Sequence, residues 1–323
     1  MHDITYIVSP NGYGHFRRFV YIYDELIKKN INVNVYTNKE NFEKYLNLRN
    51  IKNNFIINDC PWMPKADEYK RNKFFINQFE EIVKQSKSSL IISDNYVEPF
   101  LYDKNTIVIA NFLFHEELSE KTKEYSKIFD AIDVNKIKIC SSFFGMNYLE
   151  KFSKIRKFPL IGKQFIQSED KNQIILSKGM GCWSNDFDSI LLDYCKKNLK
   201  SYKGKIFIDQ SLEGIKSKLK LLNFKVNTKP FDIELIKGTS AIIGRPSIGI
   251  LTESFEYRIP FIPIVGSHDS ESKNNQNILQ NLYKEIGVSF KISNVTKNRM
   301  ILKDSVLPIG GQAELVKHII SCL

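Results

Sequence analysis

Short runs of β-branched and aliphatic residues alternate with longer stretches of helical period along the whole sequence, and this alternation restricts the fold more than any other feature. Ten or more helical residues between strand-length runs give each strand a crossover long enough to return parallel, so the pattern predicts βαβ units and a parallel sheet. In the first half, strands are expected at residues 4–8, 32–36, 55–57, 90–93, 106–109 and 136–140, with helices at 19–29, 41–48, 70–84 and 116–129. The connector Lys157-Phe158-Pro159-Leu160-Ile161-Gly162 interrupts the rhythm, which then restarts. Strands at 173–176, 205–208, 241–243, 261–265 and 288–291 follow, with helices at 186–198, 248–257, 274–285 and 312–321. With 323 residues and about 150 per domain, the reading is an α/β protein of two Rossmann-like, doubly wound parallel-sheet domains, residues 1–160 and 161–323. Such domains bind ligands outside the carboxyl ends of their strands, so a site is expected in a cleft that the two domains face.

Composition removes several classes. With 42% apolar and 26% charged residues the chain is globular, and no segment approaches the roughly 18 uninterrupted apolar residues of a membrane span. The start reads as a strand without a basic leader, so the expected location is cytoplasmic. Five cysteines (Cys60, Cys140, Cys182, Cys195 and Cys322) are scattered without a CxxC pair, which suggests reduced thiols in place of a disulfide framework or zinc site. His115 and His318 stand apart from other ligand types, and no Asp-x-Asp pair is placed as a cleft element, so no metal is expected. The 47 Lys+Arg and 36 Asp+Glu leave a net charge of +11, spread without a compact basic run. That charge fits a solvated Lys-rich surface, or attraction to polyanions and anionic headgroups. The aromatic-studded basic face of a nucleic-acid binder is not visible.

Two strand-to-helix turns carry the candidate chemistry. Ser9-Pro10-Asn11-Gly12-Tyr13-Gly14-His15-Phe16-Arg17-Arg18 follows the first strand. Gly12 and Gly14 let backbone approach a ligand, the helix start offers free N–H groups, and His15 can accept a proton near neutral pH. An ordinary turn with a capping His also fits. The third glycine of a dinucleotide fingerprint is missing, and the loop is not a P-loop. The second turn is Ser240-Ala241-Ile242-Ile243-Gly244-Arg245-Pro246-Ser247-Ile248-Gly249, with Glu253 further along the helix. Ser247 can cap that helix, the N–H groups of Ser247, Ile248 and Gly249 can hold a phosphate, and Glu253 can accept from a ribose diol. A capped helix with a solvated Glu explains it too. Gly179, in Lys178-Gly179-Met180-Gly181-Cys182, marks a third phosphate-side loop or a simple glycine turn.

Together these turns resemble a family. Gly12-Tyr13-Gly14-His15-Phe16-Arg17-Arg18 is similar to the G-x-G-H-x-x-R loop of GT-B glycosyltransferases, including the peptidoglycan N-acetylglucosaminyltransferase. Ser93-Asp94 with Glu98-Pro99 resembles their ISDxEP stretch, and Arg245 through Glu253, followed by Pro260, their donor-binding helix. The resemblance implies an acceptor in the N-terminal half and a nucleotide-diphosphate sugar, UDP-linked, in the C-terminal half. It implies His15 as base, and Asp94 contacting acceptor hydroxyls or orienting a catalytic group. Gly12, Gly14, Arg18, Gly179, Ser247 and Gly249 would lie on the donor side, with Glu253 at the ribose and Arg245 at the growing negative charge. Gln276 and Asn277 loosely represent the sugar-contacting pair; Pro246-Ser247 and Ile250 depart from the family pattern. No cofactor beyond the donor substrate is implied. The acceptor would be a glycan or lipid-linked sugar, with peripheral contact at the inner face of a membrane. A nucleotide-sugar hydrolase on the same scaffold, and a non-catalytic polyanion binder, are the competing expectations.

Overall fold

A computed structural model describes residues 3–52, 55–63, 73–113, 132–166, 170–179 and 184–323. The helix expected at 116–129, His115 and the loop residues 180–183 lie outside them. The chain forms two compact units, Met1–Gly162 with Gly310–Leu323, and Lys163–Ile309.

In the first unit the chain runs β1 (Ile4–Ile7), α1 (Tyr13–Ile27), β2 (Val33–Thr37), α2 (Lys39–Arg49), β3 (Ile57–Asp59), α3 (Lys73–Ser86), β4 (Leu90–Asp94), α4 (Pro99–Tyr102), β5 (Thr106–Ile109), β6 (Lys138–Ser142) and β7 (Lys154–Phe158). The strands make one parallel sheet in the order β3-β2-β1-β4-β5-β6-β7. Ile4, Tyr6 and Ile7 of β1 and Leu90, Ile91 and Ile92 of β4 are fully buried, as expected of central parallel strands covered on both faces. On one face Tyr6 meets Phe19 of α1 edge-on at 5.1 Å, and Phe16 meets Phe42 of α2 in the same way at 5.1 Å. Between β1 and β4 the strand order reverses, which opens a crevice at their carboxyl ends.

The second unit runs β8 (Gln173–Ser177), α5 (Phe187–Asn198), β9 (Lys205–Ile208), α6 (Lys216–Leu221), β10 (Val226–Thr228), α7 (Ile233–Lys237), β11 (Ala241–Gly244), α8 (Ile248–Glu256), β12 (Phe261–Pro263), α9 (Ser270–Ile286) and α10 (Val295–Asp304). Its parallel sheet has the order β10-β9-β8-β11-β12. At Gly244 a Cβ would overlap the Ser177 carbonyl oxygen of β8, so the two central strands approach closely only because glycine stands there.

The structure departs from the sequence reading at several points, among them helices α6, α7 and α10, which that reading did not expect. The second domain was expected to reach residue 323, but α11 (Gln312–Ile320) belongs to the first unit, where Leu315, Val316 and Ile319 are buried in the core that holds Phe16 and Phe19. No strand forms at 288–291. The left-handed Gly287 (φ 79°) closes α9, and the Val288 N–H turns back to the Tyr283 carbonyl, which removes it from any ladder. Finally, β7 and β10 are edge strands of mostly polar composition, Lys-Ile-Arg-Lys-Phe and Val-Asn-Thr, which carry little hydrophobic pattern. Among the described residues no helix is long and apolar enough to cross a membrane.

Truncating Leu315, 1% exposed, removes core volume from the first unit alone. Leu315→Ala should cost about 3 kcal/mol. Amide exchange should accelerate in β1 and β4 and stay unchanged in β8 and β11.

Candidate active site

The turn after β1 is set by Gly12, whose φ of 120° excludes residues with a side chain and starts α1 at the next residue. Gly14 and His15 therefore occupy the first turn of α1, and Arg18 lies one turn further on. Across the crevice Asp94 ends β4 with a fully buried side chain. His15 Nδ1 stands 2.8 Å from Asp94 Oδ1. Arg18 forks onto the same carboxylate, with Nη2 on Oδ1 and Nε 3.4 Å from Oδ2. Asn95, left-handed at φ 63°, directs its backbone N–H to the Ile109 carbonyl of β5 and its side-chain Oδ1 towards Arg18 Nη2 at 3.5 Å.

Burial would push the Asp94 carboxyl up, but the Arg18 guanidinium and then His15 outweigh it and hold the group below the ordinary carboxylate value. Asp94 is thus an anion aimed at the imidazole. An imidazole that donates its Nδ1–H to Asp94 leaves the Nε2 lone pair as proton acceptor, and the His15 side chain is 15% exposed, enough to reach a small reactant. The sequence places Arg18 on the donor side; in the structure its guanidinium meets Asp94, Asn95 and, at 3.3 Å, His15 Nδ1. Asn95 was missed because a single Asn after a strand carries no pattern of its own.

In the second unit Ser247 is the N-cap of α8, and its hydroxyl makes no capping bond to the helix. Ser247, Ile248 and Gly249 are half-buried, and Glu253 is 5% exposed. Gly179, left-handed at φ 71°, lies against this turn, since a Cβ there would come 3.6 Å from Ser247 Oγ. The Lys178 and Gly179 amides turn inward. Asp209 Oδ2 accepts from Ser177 Oγ at 2.9 Å, the Lys178 N–H at 3.2 Å and the Gly179 N–H at 3.5 Å.

Arg245 departs most from expectation. In place of facing a developing charge, its guanidinium is 3% exposed and bound to two carboxylates: Nε to Asp269 Oδ2 at 2.6 Å, Nη2 to Asp269 Oδ1 at 3.3 Å and Nη2 to Glu271 Oε2 at 2.6 Å. Burial would lower its pKa, but Glu271 and Asp269 together raise it, so the pair is locked in its charged form. Asp269 also caps α9, accepting from the Ser272 N–H at 2.9 Å and Ser272 Oγ at 2.7 Å. Of the expected Gln276-Asn277 pair, Asn277 is exposed and Gln276 half-buried. Asn275 is the residue that meets the turn, fully buried with Nδ2 on the Pro246 carbonyl at 2.8 Å. The Asp-x-x-Ser cap is a readable signal for Asp269; nothing in the sequence marks Asn275 over its neighbours. Among the described residues no group of three His, Cys, Asp or Glu could hold a metal ion.

No family model and no curated protein sequence matches the chain. Solved structures do. The MurG of Acinetobacter baumannii is 14% identical with a TM-score of 0.55, each chain covered over 99%. A UDP-glucose:anthocyanidin 3-O-glucosyltransferase, solved in complex with UDP, is 11% identical with a TM-score of 0.55, again over 99% of each. The chain has the GT-B fold. A chain of Listeria monocytogenes described as a UDP-N-acetylglucosamine 2-epimerase shares that fold at 10% identity and a TM-score of 0.56, over 99% of this chain and 94% of the other. At these identities the likeness fixes architecture, and chemistry has to be argued from residues.

Removing the Arg245 cation would strand two carboxylates in a buried setting. Arg245→Met should lower stability by about 3 kcal/mol in denaturant unfolding. Adding Asp269→Asn and Glu271→Gln should recover part of that loss.

Proposed function

We propose that this chain is a glycosyltransferase that moves a sugar from a UDP-linked donor to a hydroxyl acceptor with inversion at the anomeric carbon. The observation that supports it best is the 2.8 Å contact between His15 Nδ1 and the buried Asp94 carboxylate, at the switch point of a parallel sheet. A base needs an unprotonated nitrogen, a fixed orientation and a counter-charge for the cation formed when it takes a proton, and Asp94 supplies the last two. The acceptor hydroxyl gives its proton to His15 Nε2 as its oxygen bonds to the anomeric carbon. The bond from that carbon to the diphosphate oxygen breaks on the opposite face, and the nucleoside diphosphate leaves.

In this reading the N-terminus of α8, at Ser247, Ile248 and Gly249, favours the diphosphate through the helix dipole and its backbone amides, although the Ser247 N–H also bonds the Arg245 carbonyl at 2.8 Å. Glu253 takes the ribose hydroxyls, and no metal is required. Arg245 is not assigned to the leaving group, because its guanidinium already binds Asp269 and Glu271. A glycan or lipid-linked sugar is the acceptor class we favour, and the +11 charge suits approach to an anionic surface.

His15→Ala should lower kcat at least 10²-fold with little change in donor KM. UDP at about 100 times its Kd should stabilise the protein by roughly 2.7 kcal/mol, and Glu253→Ala should remove that response. Product NMR should show an inverted anomeric centre. UDP release at an equal rate without any acceptor would replace transfer by hydrolysis, and a donor response absent for every nucleotide sugar would reject both.

A further inference from the structure

A two-member His–Asp pair needs no third charge, yet Arg18 is built into this one. Its guanidinium contacts both oxygens of Asp94, lies 3.3 Å from His15 Nδ1 through Nη2, and has Asn95 Oδ1 at 3.5 Å behind it. The Arg18 side chain is 13% exposed, so its charge is only partly screened by water. We propose that Arg18 is a positioning residue that clamps the Asp94 carboxylate in one rotamer and offsets its charge, so that His15 is oriented against a carboxylate whose charge is shared with the guanidinium.

The physical argument rests on geometry and sign. Asp94 Oδ1 is the atom that both His15 and Arg18 approach, so the carboxylate cannot satisfy one without affecting the other. The fork fixes the carboxylate plane, because two donors on two oxygens resist rotation in a way that a single Lys ammonium would not. A cation this close to the imidazole opposes the imidazolium, and an anion favours it. With Arg18 present the two act against each other; without it Asp94 would hold the proton on His15 longer. Among the described residues the titratable groups seen against His15 include Asp94 from β4 and Arg18 from α1. The buried Tyr6 hydroxyl from β1, which feels both Asp94 and Arg18, adds a neutral neighbour. Asn95 holds the fork from behind without charge.

This role rests on His15 being the base, so the test includes a readout that needs no turnover. The side-chain NMR titration of His15 is followed in the wild type, Arg18→Gln, Arg18→Lys and Asn95→Gly, the last of which suits the left-handed backbone at that position. Arg18→Gln should raise the His15 midpoint by about one pH unit. Arg18→Lys should stay near the wild type, and Asn95→Gly should shift it in the same direction by less. In the acid limb of the kcat/KM profile with a UDP-sugar, Arg18→Gln should lose about tenfold more activity than at pH 8. An unchanged or lowered midpoint in Arg18→Gln overturns the proposal. So does a tenfold rise in donor KM without a midpoint shift, which would make Arg18 a donor contact. If His15→Ala transfers sugar as fast as the wild type, the base assignment fails while the titration still decides whether Arg18 governs His15.

Discussion

A carboxylate buried at the end of β4 has to be neutralised where it stands, and the first unit is arranged around that requirement. An isolated anion taken out of water costs several kcal/mol, so Asp94 is tolerable only with donors in place. α1 brings two of them, His15 in its first turn and Arg18 in its second. The helix can do so because Gly12 lets the chain turn sharply off β1, and because Phe16 and Phe19 on its inner face lock it onto the sheet. Packing and chemistry are thereby coupled: the aromatic face sets the height of α1, and that height sets the distance from imidazole to carboxylate.

The second unit solves a similar problem with a different outcome. Arg245, Asp269 and Glu271 also form a buried ionic cluster beside a strand-to-helix turn, but every strong partner is internal. With the Asn275 bond to Pro246, the cluster welds the β11–α8 turn to the start of α9. One unit carries a charged cluster with an exposed edge, and the other carries a charged cluster that is architectural.

Much of this was legible in the sequence where hydrophobic period was strong. The buried strands β1, β4, β5, β8, β9 and β11 coincide with β-branched runs, and the glycine turn at Gly12 pointed to His15. Edge strands such as Lys154–Phe158 were not legible, because an exposed edge needs no apolar pattern. The Val288 segment read as a strand because its local composition favours one, and a helix cap overrode it. Asp94 and His15 are 79 positions apart, and their contact follows from the strand order, which no local pattern encodes. The partners of Arg245 were not legible for the same reason: they stand at the start of the next helix, 24 and 26 residues on.

The packing of α11 on the first unit bears on how the chain is made. Residues 163–309 form a unit that is continuous in sequence, whereas the first is interrupted by it and is completed only by residues 310–323. During vectorial synthesis the second unit can close as soon as its own strands have emerged. The first must wait with Phe16, Phe19 and their neighbours lacking the cover that Leu315, Val316 and Ile319 provide. The half that holds His15 thus acquires its final packing last, whichever half forms its sheet first.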